Sequence, residues 1–121
     1  MKAEVRLHIR DGGHASAFAI GPGKIALLEA IRDTGSITSA AKVLGMSYRR
    51  AWLLVDETNR CLASAAVETA SGGERGGGSA LTPTGEALVA RYRALERETA
   101  GAVRRMFGSM LRETPATRKP R

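Results

Sequence analysis

The chain has little of the chemistry that builds disulfides, metal centres or enzyme active sites. Its 121 residues include one cysteine and two histidines, which excludes an intramolecular disulfide and a cysteine-rich zinc site. His8 and His14 have no further His or Cys at ligand spacing, so we expect no metal and no cofactor. Cys61 is interpreted as a small apolar filler, because a catalytic Cys–His pair would need a nearby histidine and a third orienting group. We therefore expect a protein that is not an enzyme.

Long apolar runs are also missing. No segment approaches the roughly 20 apolar residues that span a bilayer. No apolar stretch follows the charges of residues 1–10, as it would in a signal peptide. Aromatic residues make up only 4% of the chain, yet the length suffices for one domain with a single core. We therefore expect a cytoplasmic protein without a membrane partner.

Positive charge is abundant, but most of it lies at one end of the chain. The formal net charge is +7. Residues 104–121 carry six Lys or Arg residues and one Glu, so this segment holds +5 and leaves +2 for residues 1–103. The high isoelectric point alone therefore does not indicate nucleic-acid binding, which depends on where individual arginines lie.

The most informative stretch is residues 36–61, SITSAAKVLGMSYRRAWLLVDETNRC, which reads as two helices joined by a tight turn. Ser36 and Ser47 are suited to cap the two helices, and Gly45 stands where the chain needs a positive φ. The small alanines of the first helix allow the close, steep crossing of a helix-turn-helix. Core-facing residues recur at helical spacing in both segments: Ile37, Ala40, Ala41 and Leu44, then Ala51, Leu54, Val55, Thr58 and Leu62.

The outward residues at the start of the second helix point to DNA. A recognition helix presents donors at this position to base edges and phosphates in the major groove. For Arg49, a bidentate contact with guanine and a contact with phosphate are equally expected, whereas Arg50 favours phosphate. A helical hairpin with a glycine turn also occurs as a plain core element, and these residues alone leave that alternative open. The expected DNA-binding residues are Ser47, Tyr48, Arg49 and Arg50, with Ser36, Thr38 and Ser39 at the first helix, where Ser36 serves mainly as a cap.

The segment before residue 36 predicts a small sheet and one more helix. Residues 3–9 alternate between apolar and polar, which favours a half-buried strand, and a turn signal at Asp11-Gly12 suggests a returning strand over residues 15–19. Gly21-Pro22-Gly23 starts a helix that Gly35 ends. Its buried face is expected to contain Ile25, Leu27, Leu28 and Ile31, with Lys24, Glu29, Arg32 and Asp33 mostly outside.

A glycine-rich loop, residues 71–79 (SGGERGGGS), lies between two short predicted strands at 66–69 and 80–82. Two strands around such a loop, directly after a recognition helix, form the wing of a winged helix, which can approach a sugar-phosphate backbone closely. A flexible linker is one alternative. A phosphate-binding loop is another, although the lysine of G-x-x-x-x-G-K-[ST] is absent. The expected backbone contacts of the wing are Arg75, Gly76 and Gly77.

A long helix is predicted over residues 83–107, capped by Thr82 and opened by Pro83. One side of this helix has spacings of four and three, close to a heptad seam. The domain has too little surface to cover so long a seam, so the same helix of a second chain is the favoured partner, and a helix folded back on its own domain is the alternative. The seam contains Leu88, Tyr92, Leu95, Thr99, Ala102 and Met106. Residues 108–121 predict a basic, flexible tail.

Together these segments resemble the N-terminal DNA-binding domain of the ModE family of molybdate-responsive transcription regulators. The likeness rests on MKAEVRLHIR, GSITSAAKVLGMSYRRAWLLVDETN, the glycine wing and LTPTGEALVARYRAL, and it covers roughly residues 1–107. LysR-type regulators share S-x-x-x-A-A-x-x-L-G but lack this wing, so they match less well.

The resemblance implies a mainly α protein with a small β-sheet, a winged helix-turn-helix that binds a palindromic operator in double-stranded DNA as a homodimer. The recognition helix over 47–62 would enter the major groove, and the wing over 71–79 would lie on the backbone. Trp52 also matches, and we interpret it as packing or helix positioning rather than base reading. Longer family members sense molybdate through C-terminal oxyanion-binding domains, so a small-molecule effector is not expected in this polypeptide. The alternative is a winged helix for protein–protein interaction, in which Arg49 and Arg50 have no role.

Overall fold

The computed structural model describes residues 2–10, 19–70 and 78–111. Three helices precede a β-hairpin and a long last helix, which is the predicted winged helix-turn-helix. In chain order the elements are β1 (Ile9–Arg10), β2 (Ala19–Ile20), α1 (Pro22–Thr34), α2 (Ile37–Leu44), α3 (Tyr48–Arg60), β3 (Val67–Thr69), β4 (Ser79–Leu81) and α4 (Pro83–Phe107).

The core lies between α1, α2 and α3, and the start of α4 closes it. The predicted buried face of α1 is confirmed, since its four core residues are at most 1% exposed. Ala40 and Ala51 have no exposed surface, so the backbones of α2 and α3 cross closely, as the small side chains predict. Helix α1 ends where Gly35 takes a left-handed φ of 76°. This position favours glycine because other residues meet a steric penalty there.

Lys24 lies inside the fold, contrary to the prediction. Its side chain is only 11% exposed. Its ammonium group donates to the carbonyl oxygen of Ala19 at 2.6 Å and pairs with the carboxylate of Glu57 at 3.1 Å. A partly buried charge is tolerated when it is paired and hydrogen-bonded. Lys24 therefore joins β2, α1 and α3, a role that the helical pattern of α1 alone does not reveal.

The N-terminal strand is shorter than predicted. Residues 3–8 do alternate between half-buried and exposed, but only Ile9 and Arg10 form a ladder, pairing antiparallel with Ile20 and Ala19. In this register His8 and Leu7 face Gly21 and Pro22, where α1 begins, so residues 3–8 have no strand to pair with. Of the predicted returning strand over 15–19, residues 15–18 lie outside the described ranges.

The second sheet is the predicted β-hairpin. Strands β3 and β4 pair antiparallel, with Val67 opposite Leu81 and Thr69 opposite Ser79. Its loop, which contains Arg75, Gly76 and Gly77, lies outside the described residues.

Helix α4 packs its first turns directly on the strand that enters the hairpin. The hydroxyl of Thr82 accepts a hydrogen bond from the Gly85 amide at 3.1 Å, which caps the helix as predicted. A Cβ atom at Gly85 would lie 2.2 Å from the carbonyl oxygen of Ala66. Glycine is therefore required for this approach of helix and backbone.

An ion-pair network also holds α4 against α1. Arg93 contacts Glu29 of α1 with two nitrogens, at 2.5 and 3.1 Å, and contacts Glu96 at 2.8 Å. The hydrogen bonds with Glu29, and then those with Glu96, raise the pKa of the Arg93 guanidinium above its usual value. The bidentate contact fixes direction as well as distance, so it adds a directional link between α4 and α1 to the buried contacts.

Candidate nucleic-acid interface

The turn between α2 and α3 has the predicted caps. Ser36 accepts a hydrogen bond from the Ser39 amide at 2.8 Å, and Ser47 accepts one from the Arg50 amide at 3.1 Å. Between them Gly45 adopts a φ of 67°, the left-handed conformation that ends a helix at no steric cost to glycine. The predicted recognition helix over 47–62 is slightly shorter, because α3 ends at Arg60. Leu62 is a half-buried residue beyond that end.

The start of α3 is open to solvent. Ser47, Tyr48, Arg49 and Arg50 are all exposed. Among the ion pairs between described residues, none involves Arg49 or Arg50. The two guanidiniums therefore project from an exposed helix end. The backbone N–H groups of Tyr48 and Arg49 have no partner within the helix, whereas that of Arg50 donates to Ser47.

The charged residues of α3 are unevenly distributed, with the arginines Arg49 and Arg50 at its start and the carboxylates further on. The carboxylates lie in the second half, where Asp56 pairs with Arg60 at 3.0 Å and Glu57 pairs with Lys24. The first turn carries no acidic residue. Cations near a helix N-terminus oppose the helix dipole and cost about 0.3–1 kcal/mol each. The first half of α3 is thus a positive surface that does not serve the stability of the helix.

Trp52 does not pack into the core, which corrects the packing part of our interpretation. Its side chain is 48% exposed on α3, and the neighbouring Leu53 is 45% exposed. With Tyr48 and Arg49 they line an open depression of about 400 Å³. Leu53 was missed from sequence because it sits inside the apolar run AWLLV. Each residue of a helix advances roughly 100°, so Leu53 lies about 200° from the buried Ala51. This angle would have predicted from sequence that Leu53 is exposed.

The first helix of the motif exposes the polar residues expected there. Thr38 and Ser39 are exposed at the start of α2, and Ser36 is half-buried. The hydroxyl of Ser36 is engaged in the cap, as expected.

The base of the hairpin is fixed to α3 by a side chain that the sequence did not single out. The Asn59 side-chain oxygen accepts hydrogen bonds from the amides of Ala66 at 2.8 Å and Val67 at 3.1 Å. Its amide nitrogen donates to the Val67 carbonyl at 3.2 Å. On the other strand, the Ser79 amide donates to the Gly35 carbonyl at 2.9 Å. The hairpin thus starts from a defined position beside α3 and the corner between α1 and α2.

The predicted seam of α4 divides into two parts. Tyr92 is buried in its own chain, 2% exposed, and its hydroxyl donates to the Leu7 carbonyl at 2.7 Å. Leu88 packs partly buried against the same core, so the structure does not place these two residues on a free face. Leu95 and Met106 are exposed, with half-buried Thr99 and Ala102 between them. Three further exposed apolar residues follow at the end of the helix: Phe107, Met110 and Leu111.

The remaining reactive residues form no site in the described ranges. Burial raises the pKa of the Cys61 thiol, which disfavours the reactive thiolate. His8 is exposed, and His14 lies outside the described residues. Over residues 2–10, 19–70 and 78–111, no group of three His, Cys, Asp or Glu residues is arranged to hold a metal. No helix in these ranges has the length and apolar character that crossing a bilayer requires.

Comparison with known proteins gives several relatives at 39–49% identity. The chain is 49% identical over 77 residues to the molybdenum-pterin-binding protein MopB of Rhodobacter capsulatus, covering 64% of this chain and 28% of that protein. It is 44% identical over 88 residues to the molybdenum transport protein ModE of Azotobacter vinelandii, covering 73% and 33%. It is 42% identical over 92 residues to the DNA-binding transcriptional dual regulator ModE of Escherichia coli, covering 76% and 34%.

These matches cover most of this chain but about a third of each relative. No protein-family model matches the chain.

Proposed function

Because the chain belongs to the ModE family, we propose that it is a DNA-binding module of a transcription regulator, which reads a specific sequence in double-stranded DNA. The observation that carries this proposal is the free start of α3, where Arg49 and Arg50 are exposed and outside every ion pair between described residues. Such an end fits the major groove, where guanine presents two acceptors to a guanidinium.

Electrostatics supports a polyanion as the ligand. Two cations at a helix N-terminus are unfavourable for the helix, whereas a phosphate or a base acceptor at the same place is favoured by the side chains and by the free backbone N–H groups. The proposed contacts beyond Arg49 and Arg50 are Ser36, Thr38, Ser39, Ser47 and Tyr48 in the helix-turn-helix, and Arg75, Gly76 and Gly77 in the wing.

We further propose a homodimer that binds a palindromic operator, because the distal part of α4 presents apolar side chains to solvent. Leu95 is 41% exposed and Met106 is 70% exposed. Exposed apolar surface of this extent along one helix indicates an interface. A two-fold dimer would present two copies of α3 to half-sites about one helical turn apart.

The test is selection of bound sequences from a random DNA pool, followed by Arg49→Ala. If Arg49 reads a base, the variant relaxes preference at one position by about 1–3 kcal/mol. Arg50→Ala weakens binding to all sequences and lowers the salt slope by about one unit. Arg97→Ala is the matched control, since Arg97 is an exposed arginine on α4. Full operator preference in Arg49→Ala would refute its role as a base reader.

The protein–protein alternative has one observation in its favour, the apolar end of α4 at Phe107, Met110 and Leu111. It predicts no preferred sequence from the pool and no effect of Arg49→Ala or Arg50→Ala. A gel shift with the selected fragment at moderate salt separates the two functions, because retained specificity excludes the alternative.

A further inference from the structure

The recognition helix carries an apolar patch beside its arginines. Tyr48, Trp52 and Leu53 are 55%, 48% and 45% exposed, and with Arg49 they line the open depression on α3. Single exposed apolar residues are ordinary, but a contiguous group marks a contact surface. We call Tyr48, Trp52 and Leu53 the α3 apolar patch.

Leu53 is the most unusual member of this patch. The buried side of α3 is marked by Ala51, Val55 and Thr58, and Leu53 lies on the opposite side. The neighbouring positions on that side are polar: Arg49 and Arg60 are exposed, and Asp56 is half-buried. A surface helix normally carries polar residues there. A leucine at this place is therefore not explained by packing against the described part of the chain.

The ligand of this surface has to satisfy apolar side chains and guanidiniums together. The carboxylates of α3 are paired with Arg60 and Lys24, which leaves the half of α3 that bears the patch with positive charge. The major groove of DNA matches this combination, because guanine offers acceptors to arginine and thymine offers its C5-methyl group to apolar side chains.

We propose that Trp52 and Leu53 contact thymine C5-methyl groups in each half-site and so determine specificity together with Arg49. This proposal rests on the proposed DNA-binding function and deepens it. Arg49 and Leu53 are four residues apart, about 6 Å along the helix axis. For a helix that lies along the groove, this distance matches roughly two base steps of about 3.4 Å. The contacted thymine therefore lies within about two base pairs of the base or phosphate that Arg49 contacts.

The experiment replaces single thymines of the selected operator by deoxyuridine, which pairs identically and lacks only the methyl group. Dissociation constants are measured for the wild type, Trp52→Ala and Leu53→Ala at one fixed salt concentration. For the wild type, exchange at a contacted thymine weakens binding about fourfold, as expected for one buried methyl group. In the variant that has lost the contact, the two DNAs bind equally.

Val43→Ala is the matched control, because Val43 is 68% exposed on α2 and lies outside the patch. It should keep the wild-type ratio between the two DNAs. Both test residues are exposed, so the variants should fold, and circular dichroism checks this. The ratio between the two DNAs also cancels any loss of affinity that is independent of the methyl group.

The outcomes separate this proposal from the function it rests on. If the pool yields no preferred sequence, the proposed function falls and this inference with it. If a sequence is selected and depends on Arg49, yet no deoxyuridine exchange weakens binding, only this inference is wrong. It is also wrong if the exchange weakens binding equally in the wild type, Trp52→Ala and Leu53→Ala. In either case the patch serves another ligand, such as a protein partner.

Discussion

At the scale of single residues, Tyr92 joins two parts of the chain that are 85 positions apart in sequence. It is buried on α4, and its hydroxyl donates to the Leu7 carbonyl at 2.7 Å. Burial is the main cause that raises the pKa of this phenol above its ordinary value. The neutral form is therefore the one that the folded protein prefers.

Tyr92→Phe should lower the free energy of unfolding by about 0.5–1.5 kcal/mol at neutral pH, the usual net value of one hydrogen bond. Because the folded pKa is raised, the stabilisation is present below the unfolded pKa of about 10 and is lost as pH rises through the folded value. The difference between wild type and variant should shrink above about pH 10. Urea unfolding at several pH values measures it. Tyr48→Phe is the control, since Tyr48 is exposed, and an equal pH effect there would contradict the assignment.

At the scale of elements, the hairpin depends on α3 for its position. Asn59 provides one acceptor for two backbone amides at the start of β3. A buried backbone amide that loses its acceptor, and that water cannot reach, lowers the stability of the fold. The side chain of Asn59 therefore joins α3 to the start of β3.

Asn59→Ala should lower the free energy of unfolding by about 1–3 kcal/mol, because the amides of Ala66 and Val67 lose their acceptor. Hydrogen exchange at the Val67 amide should accelerate more than exchange inside α1. Asn59→Asp is the matched variant, since it keeps an acceptor oxygen for both amides, while its second carboxylate oxygen replaces the donor and faces the Val67 carbonyl oxygen. Exchange of the Val67 amide should be slower in Asn59→Asp than in Asn59→Ala. Equal protection of Val67 in all three proteins would disprove the anchoring role.

At the same scale, prediction from sequence succeeds where the cause is local. Ser36, Gly45 and Ser47 act on backbone groups within a few residues, so their caps and the turn follow directly from the sequence. Lys24 and Tyr92 differ from prediction because their partners, Glu57 and Leu7, are far away along the chain. The periodicity of one helix cannot show which distant group will meet its side chains.

The sequence singled out Arg49, Arg50 and Tyr48 of the candidate interface, but not the exposure of Trp52 and Leu53. Arg49 and Arg50 follow from their place after the Ser47 cap. Trp52 was interpreted as packing or helix positioning, whereas counting about 100° per residue from Ala51 places both Trp52 and Leu53 away from the core. Asn59 gave no sequence signal, because its role arises only when β3 lies beside α3.

At the scale of the whole molecule, the free part of α4 decides the proposed assembly. Leu95→Glu or Met106→Glu should convert the homodimer to a monomer, because a charge would have to be buried in an apolar interface. Sedimentation velocity measures the change. Ala90→Glu is the matched control, as Ala90 is exposed on α4 and lies about 140° from Leu95 at roughly 100° per residue. A wild-type protein that sediments as a monomer at high concentration would refute the dimer.

The contacts of Arg93 with Glu29 and Glu96 have a consequence for target choice. The contacts with Glu29 hold α4 against α1, and α4 is the helix that would connect the two DNA-binding units of the proposed homodimer. One added base pair between two half-sites rotates them by about 35° relative to each other. If α4 keeps its orientation on α1, the two copies of α3 cannot follow that rotation. The proposed homodimer would then discriminate between operators by the length of the spacer as well as by the base sequence of the half-sites.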